Sequence, residues 1–142
     1  MEETQERLLQ REAVKIEIAE KSTPLAELDP EIRLAIDCAD EKKAFDVIAL
    51  DLRDIASFTD FFIIASGANQ RQVQAIADEI NEQLKKQLSV RPLRVEGYNT
   101  AEWLLLDYGD FIVHVFNKES REFYDLARLW RDARPVQLIE NA

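Results

Sequence analysis

Apolar side chains recur at spacings of three and four residues in three segments of the chain, which predicts helices that each bury one face. The first segment begins at Asp29-Pro30, where aspartate can cap a helix and proline is tolerated at the first helical position, and it runs to about residue 43. The second covers residues 69–87, and the third ends before Pro135. The apolar positions are Ile32, Ala35, Ile36 and Ala39 in the first segment, Val73, Ile76, Ala77, Ile80, Leu84 and Leu88 in the second, and Phe123, Leu126, Ala127 and Trp130 in the third.

Five shorter segments have the composition of β-strands. Residues 45–52 and 60–66 are apolar at consecutive positions, which predicts burial on both sheet faces, with helices covering both sides of at least part of the sheet. Residues 92–97 alternate in polarity like an edge strand. Residues 103–106 and 111–116 flank a turn that contains Gly109, and this pattern predicts a hairpin. The predicted order is helix, two strands, helix, three strands, helix.

The beginning of the chain differs from the rest. Residues 1–21 contain helix formers and no Gly or Pro, but their apolar residues do not form one stripe. We predict an exposed helix here, followed by a break in the helix at Ser22-Thr23-Pro24. Together they belong to a predicted N-terminal helical extension of residues 1–28. Residues 29–135 are predicted to form one domain and residues 136–142 a C-terminal tail.

Composition narrows the class of protein. A chain of 142 residues with 46% apolar residues fits a single globular domain. Its net charge of -10 repels phosphate backbones, which argues against direct DNA binding and favours a basic protein partner, although solubility alone also explains an acidic surface. The single cysteine, Cys38, excludes an intramolecular disulfide. No apolar stretch approaches the ~20 residues that span a bilayer, so we expect a soluble, cytoplasmic protein without membrane contact.

Two features suggest nucleotide chemistry, and they define the alternative hypothesis. The turn that begins at Ser66-Gly67 joins a predicted strand to a helix and could hold a phosphate, but it lacks the P-loop and dinucleotide-binding patterns. Two aspartate pairs could hold magnesium for nucleotidyl transfer, although turn capping and strand termination explain them more simply. These pairs are Asp51 with Asp54 and Asp107 with Asp110.

The remaining candidates do not form a catalytic set. His114, the only histidine, shares a strand face with Ile112 and Phe116, and we interpret it as a buried histidine with its hydrogen bonds satisfied rather than a general base. No serine or cysteine lies in a sequence motif that is typical of a nucleophile activated by a histidine. We therefore predict no catalytic residue, no metal site and no cofactor. Among the aromatic residues of the last third, Phe116 and Trp130 are predicted to be core, whereas Trp103 and Tyr108 could belong to the core or to an interface.

Three separated segments resemble one known family. DVIALDLRDIASFTDFFIIASGANQRQVQAIADEI, EGYNTAEWLLLDYGDFIVHVF and REFYDLARLW, in this order, resemble the ribosomal silencing factors, also called Iojap-like proteins. The resemblance covers residues 31–133. One departure is Ala127, where the family pattern usually has an acidic residue after the leucine.

This resemblance carries expectations about fold, function and site. It implies a single α+β domain with a mixed five-stranded sheet flanked by helices, similar to a nucleotidyltransferase fold without its catalytic carboxylates. It implies binding to ribosomal protein L-fourteen of the large ribosomal subunit, a steric block of subunit joining that represses translation, and homodimer formation. The partner-binding residues that it implies are Trp103, Leu105, Asp107, Tyr108, Arg121 and Tyr124.

Overall fold

A computed structural model describes residues 22–138 of the chain. The helix predicted for residues 1–21 lies outside the described residues. In chain order the described elements are helix α1 (Pro30–Glu41), strands β1 (Phe45–Asp51) and β2 (Phe61–Gly67), helix α2 (Gln70–Leu88), strands β3 (Arg94–Glu96), β4 (Trp103–Asp107) and β5 (Phe111–Asn117), helices α3 (Lys118–Tyr124) and α4 (Leu126–Leu129), and strand β6 (Arg134–Pro135), with a 3₁₀ turn at Leu25–Glu27 before α1.

The strands form one mixed sheet in the order β3-β4-β5-β2-β1-β6. Only β2 and β5 are parallel, and the other neighbouring strands are antiparallel. The α+β class and the mixed sheet are confirmed, and the predicted order of elements agrees with the structure through β5, but the sheet has six strands rather than five. The additional strand, β6, has two residues, which is too short for an alternating pattern to reveal it.

The first face of the sheet is covered by α1 and α2, which supply most of the main core. Both helices bury the stripe that their sequence predicts, except that Leu88 at the end of α2 is 38% exposed. Asn69 starts α2 because its side chain accepts a hydrogen bond from the backbone N–H of Gln72, an N-cap interaction. Ser89 ends the helix in the left-handed conformation.

The second face is covered only in part, by α3, α4 and the connection between β1 and β2. The prediction of one final helix is wrong, because Asp125 adopts a left-handed conformation (φ 44°) and divides the segment into α3 and α4. This break turns Phe123 outward, where it is 80% exposed, while Leu126 is buried. On this face the residues of β3 are exposed, and Trp103 and Leu105 of β4 are partly exposed.

Residues on both sides of the predicted domain limits pack into the fold. Thr23 forms an isolated parallel bridge with Val136, and both side chains are buried. Leu28 is also buried, and Leu138 packs against the same core. The packed unit thus extends to Thr23 before the limit at residue 29 and to Leu138 after the limit at residue 135.

Candidate functional site

The register of the strands places side chains of β3, β4 and β5 in rows on the second face. Trp103 lies opposite Phe116, and Leu105 lies opposite His114. On the other side of β4, Glu96 is the partner of Leu105. Because residues two apart in a strand share a face, these side chains lie next to one another on the second face of the sheet.

Trp103 is half-buried and packs against other aromatic rings. Its indole stacks on Phe116 with 5.1 Å between ring centroids, and Tyr124 approaches it at 4.8 Å. Its Nε1–H donates a hydrogen bond of 3.0 Å to Nδ1 of His114. Trp103, which the sequence could not assign to core or interface, is packed on Phe116 and remains partly exposed.

His114 is buried, with 4% of its surface exposed, and its two nitrogens have different surroundings. Because Nδ1 accepts from Trp103, the proton of the neutral imidazole belongs on Nε2. Nε2 is buried and has no hydrogen-bond partner among the described residues. The prediction that the hydrogen bonds of His114 are satisfied is therefore correct for Nδ1 and wrong for Nε2. Burial lowers the pKa of His114 to about 4, against a smaller opposing effect of Asp107. His114 is therefore neutral at pH 7 and acts as the acceptor that orients Trp103.

Asp107 lies on the same face, but its carboxylate is hydrogen-bonded to other groups of the same domain. Its carboxylate accepts hydrogen bonds from Nη2 of Arg94 and from the backbone N–H of Gly109, each 2.9 Å long. Burial raises the pKa of this carboxyl, and the hydrogen bonds from Arg94 and Gly109 lower it, with a net shift below its usual value. Asp107 thus caps the β4–β5 turn and binds Arg94 of the edge strand.

Tyr108 is separated from the other implied site residues. Its ring packs against the core of the first face and stacks on Phe111 at 4.8 Å. The hydroxyl is buried without a partner, and burial raises the pKa of Tyr108 to about 12. The structure therefore brings together Trp103 and Leu105 on one face and places Tyr108 across the sheet from them.

Arg121 and Tyr124 belong to α3, which crosses the end of the second face. The guanidinium of Arg121 is half-buried and donates a hydrogen bond of 2.8 Å to Oγ of Ser66. Burial lowers the pKa of Arg121, against smaller opposing effects of Asp46 and Asp125. Tyr124 is 48% exposed and borders the indole of Trp103. Arg121 thus anchors α3 to β2, and Tyr124 extends the aromatic surface.

One residue of this surface was not a sequence candidate. Glu96 lines an open groove of about 230 Å³ together with Trp103 and Leu105. The alternating polarity of residues 92–97 was sufficient to place Glu96 on one face of an edge strand, but not to show which strand lay beside it.

The groups of the nucleotide hypothesis have structural roles instead. A Cβ on Gly67 would come within 3.0 Å of Val73, so glycine is needed here for the close packing of β2 on α2. The N–H of Ala68 already donates to Oε1 of Gln72. Within residues 22–138, no group of three or more His, Cys, Asp or Glu side chains could hold a metal ion.

Both aspartates of the first pair have partners within the fold. Asp51 accepts hydrogen bonds from Thr23 and Arg53, and Asp54 forms an ion pair of 2.8 Å with Arg134. These contacts explain the aspartates without a ligand. Among the described helices, none is both long and apolar enough to cross a membrane.

Comparison with known proteins gives consistent matches. The model of the family described as "Ribosomal silencing factor during starvation" matches residues 26–142. The chain is 44% identical to ribosomal silencing factor RsfS of Halalkalibacterium halodurans over 75% of this chain and 91% of that protein. It is 41% identical to RsfS of Bacillus subtilis, over 72% of this chain and 86% of that protein. A crystal structure of a Chromobacterium violaceum protein is similar with a TM-score of 0.68 and 36% identity, covering 71% of this chain and 83% of that one.

Proposed function

The chain belongs to the family of ribosomal silencing factors, and we propose that it binds the large ribosomal subunit through ribosomal protein L-fourteen. In this proposal the bound protein occupies the joining face of the large subunit. The small subunit is then excluded sterically, and translation is repressed without a chemical reaction.

The partly exposed indole of Trp103 is the observation that carries this proposal. Large aromatic side chains that combine a fixed orientation with exposed area are the usual anchors of protein interfaces. Trp103 is held by Phe116 and His114, so little conformational entropy remains to be lost on binding. Leu105 and Tyr124 extend the same surface on its two sides.

The contributions of the other implied contacts follow from their geometry. Asp107 and Arg121 are engaged in hydrogen bonds within the fold, so we propose that they support the surface by fixing the β4–β5 turn and α3. Tyr108 faces the opposite core, and we propose that it acts on the turn through packing rather than by direct contact.

Charge supports the choice of a basic protein partner. The net charge of -10 favours approach to a positively charged protein and disfavours broad contact with ribosomal RNA. We further propose a cytoplasmic location and self-association into a homodimer, both from family resemblance.

The test is the distribution of the purified, tagged chain across a sucrose gradient of ribosomal particles. We expect it to migrate with free large subunits and to be scarce on small subunits and intact ribosomes. Addition of the protein to separated subunits should also reduce the fraction that joins. Equal recovery in all three particle fractions, or no recovery with any, would contradict the proposal.

The nucleotide hypothesis has its own test. A ligand that binds only the folded state must raise the melting temperature. Under the proposed function, nucleotide with magnesium should leave the melting temperature of this chain unchanged, and a clear rise would favour the enzyme alternative.

A further inference from the structure

The groove between β3 and β4 combines one carboxylate with an aromatic ring and an aliphatic side chain. Glu96 of β3 lies directly opposite Leu105 of β4, and Trp103 follows two positions away along the same strand. The three residues line an open groove of about 230 Å³ on the second sheet face. A groove of this size accommodates the end of one long side chain.

Among residues 22–138, the carboxylate of Glu96 has only a long ion pair. Its side chain is 60% exposed, and its nearest cation is Nη1 of Arg94 at 3.8 Å. That guanidinium is already engaged through Nη2 with Asp107 at 2.9 Å. Glu96 can therefore accept hydrogen bonds from a cation that enters the groove.

The indole beside this carboxylate has a fixed position. The hydrogen bond to His114 directs the Nε1–H edge of Trp103 into the sheet face, Phe116 stacks on the ring at 5.1 Å, and Tyr124 approaches it at 4.8 Å. The groove borders the ring on the side of β3, where strand pairing has ended beyond Glu96. A cation that lies over the face of an indole is attracted by the negative potential there, and guanidinium groups are the most frequent partners.

These features together determine the kind of side chain that fits. The carboxylate and the indole suit a positive charge, and Leu105 suits the methylene stem of a long basic residue. We propose that the groove formed by Glu96, Trp103 and Leu105 binds an arginine side chain of the protein partner. This inference rests on the proposed function, because the partner is taken to be a basic protein of the large subunit.

The first experiment compares two single-charge variants in binding to purified large subunits. Glu96→Gln removes the negative charge of the groove while keeping nearly the same shape. Glu41→Gln is the matched control, because Glu41 is an exposed residue at the end of α1, on the opposite side of the sheet. We expect Glu96→Gln to raise the dissociation constant about tenfold at low salt, and Glu41→Gln to change it less than about twofold.

Salt provides a second readout of the same variants. The difference between the parent and Glu96→Gln should shrink as ionic strength rises, because an exposed ion pair is screened. Equal dissociation constants for the two variants would show that only overall acidity matters and would overturn the inference, while leaving subunit binding intact. Melting temperatures within experimental error of the parent exclude unfolding as the cause.

A ribosome-independent experiment separates the inference from the proposed function. Acetyl-arginine-amide is titrated against the protein while the Trp103 indole N–H is followed by NMR, with acetyl-citrulline-amide as the uncharged analogue. We expect a larger shift with the arginine compound, and Glu96→Gln should abolish the difference. Equal shifts from both compounds would overturn the groove assignment even if the chain binds large subunits. A specific shift without subunit binding would instead contradict the proposed function alone.

Discussion

The indole N–H of Trp103 donates to Nδ1 of His114 across 3.0 Å, and this bond connects the exposed aromatic surface to the buried centre of the sheet. His114 lies between Leu105 on β4 and Ile64 on β2 in the strand register. The orientation of the indole thus depends on a neutral imidazole that is itself fixed by the sheet.

The first expectation concerns pH. The folded-state pKa of His114 is lowered by burial from 6.5 to about 4, so the unfolded chain binds more protons between these values. The stability contributed by neutral His114 is fully present above pH 6.5 and is lost as pH falls toward 4. This change amounts to about 3 kcal/mol at pH 4, and urea unfolding at a series of pH values measures it.

The matched variant for this measurement is His114→Gln. His114 is the only histidine in the chain, so the variant keeps every carboxyl group and lacks the imidazole. The parent should lose stability more steeply than His114→Gln between pH 6.5 and 4. Parallel pH dependences of the two proteins would show that His114 is protonated as easily in the folded chain as in the unfolded one.

The second expectation concerns the anchor of α3. Arg121→Ala and Ser66→Ala each remove one partner of the hydrogen bond between β2 and α3. Each should lower the free energy of unfolding by about 1–3 kcal/mol, because the bond involves a charged donor in a half-buried place. In a double-mutant cycle the combined variant should lose less than the sum of the single losses. Additive losses would indicate that the two side chains act independently.

The third expectation distinguishes two glycines with positive φ. A Cβ on Gly97 (φ +74°) would lie 2.1 Å from the carbonyl oxygen of Trp103, whereas a Cβ on Gly109 (φ +88°) would meet only the flexible end of Leu93 at 3.3 Å. Gly97→Ala should therefore cost more than about 3 kcal/mol of stability, and Gly109→Ala about 1–2 kcal/mol. Guanidinium unfolding of both variants tests this order, and a reversed order would refute the geometry of the β3–β4 connection.

The fourth expectation concerns truncation. Removing residues 1–21 should change the thermal midpoint little, because their apolar residues form no single stripe. Extending the deletion to residue 28 removes Thr23, which donates to buried Asp51 at 2.6 Å, and buried Leu28. This longer deletion should cost about 3 kcal/mol or more. Similar midpoints for both truncated proteins would mean that residues 22–28 contribute little to the fold.

Much of the fold could be predicted from the sequence because it depends on local periodicity. The buried stripe of α2 and the apolar runs of β1 and β2 are properties of neighbouring residues, and burial in one core follows from them. The break at Asp125 could not be predicted in this way, because the left-handed conformation occurs at a residue other than glycine. Strand β6 depends on pairing with β1, which is distant in the sequence.

The candidate site illustrates a different limit. Tyr108 follows Leu104 and Leu106 at intervals of two, and alternation alone assigns it to their face rather than to that of Trp103 and Leu105. The family resemblance grouped Tyr108 with Trp103 because both belong to one motif. Glu96, in contrast, is not among the residues that the resemblance implies, and the pairing of β3 with β4 brings it beside the indole.

The bridge between Thr23 and Val136 has a practical consequence for handling the protein. It brings both ends of the described segment to the β6 edge of the sheet, whereas Trp103 is on β4, four strand positions or roughly 19 Å away. A fluorophore attached at residue 22 or residue 138 would be tethered at the edge remote from the indole. Immobilisation through either of these two positions should therefore leave the aromatic surface accessible to a large partner.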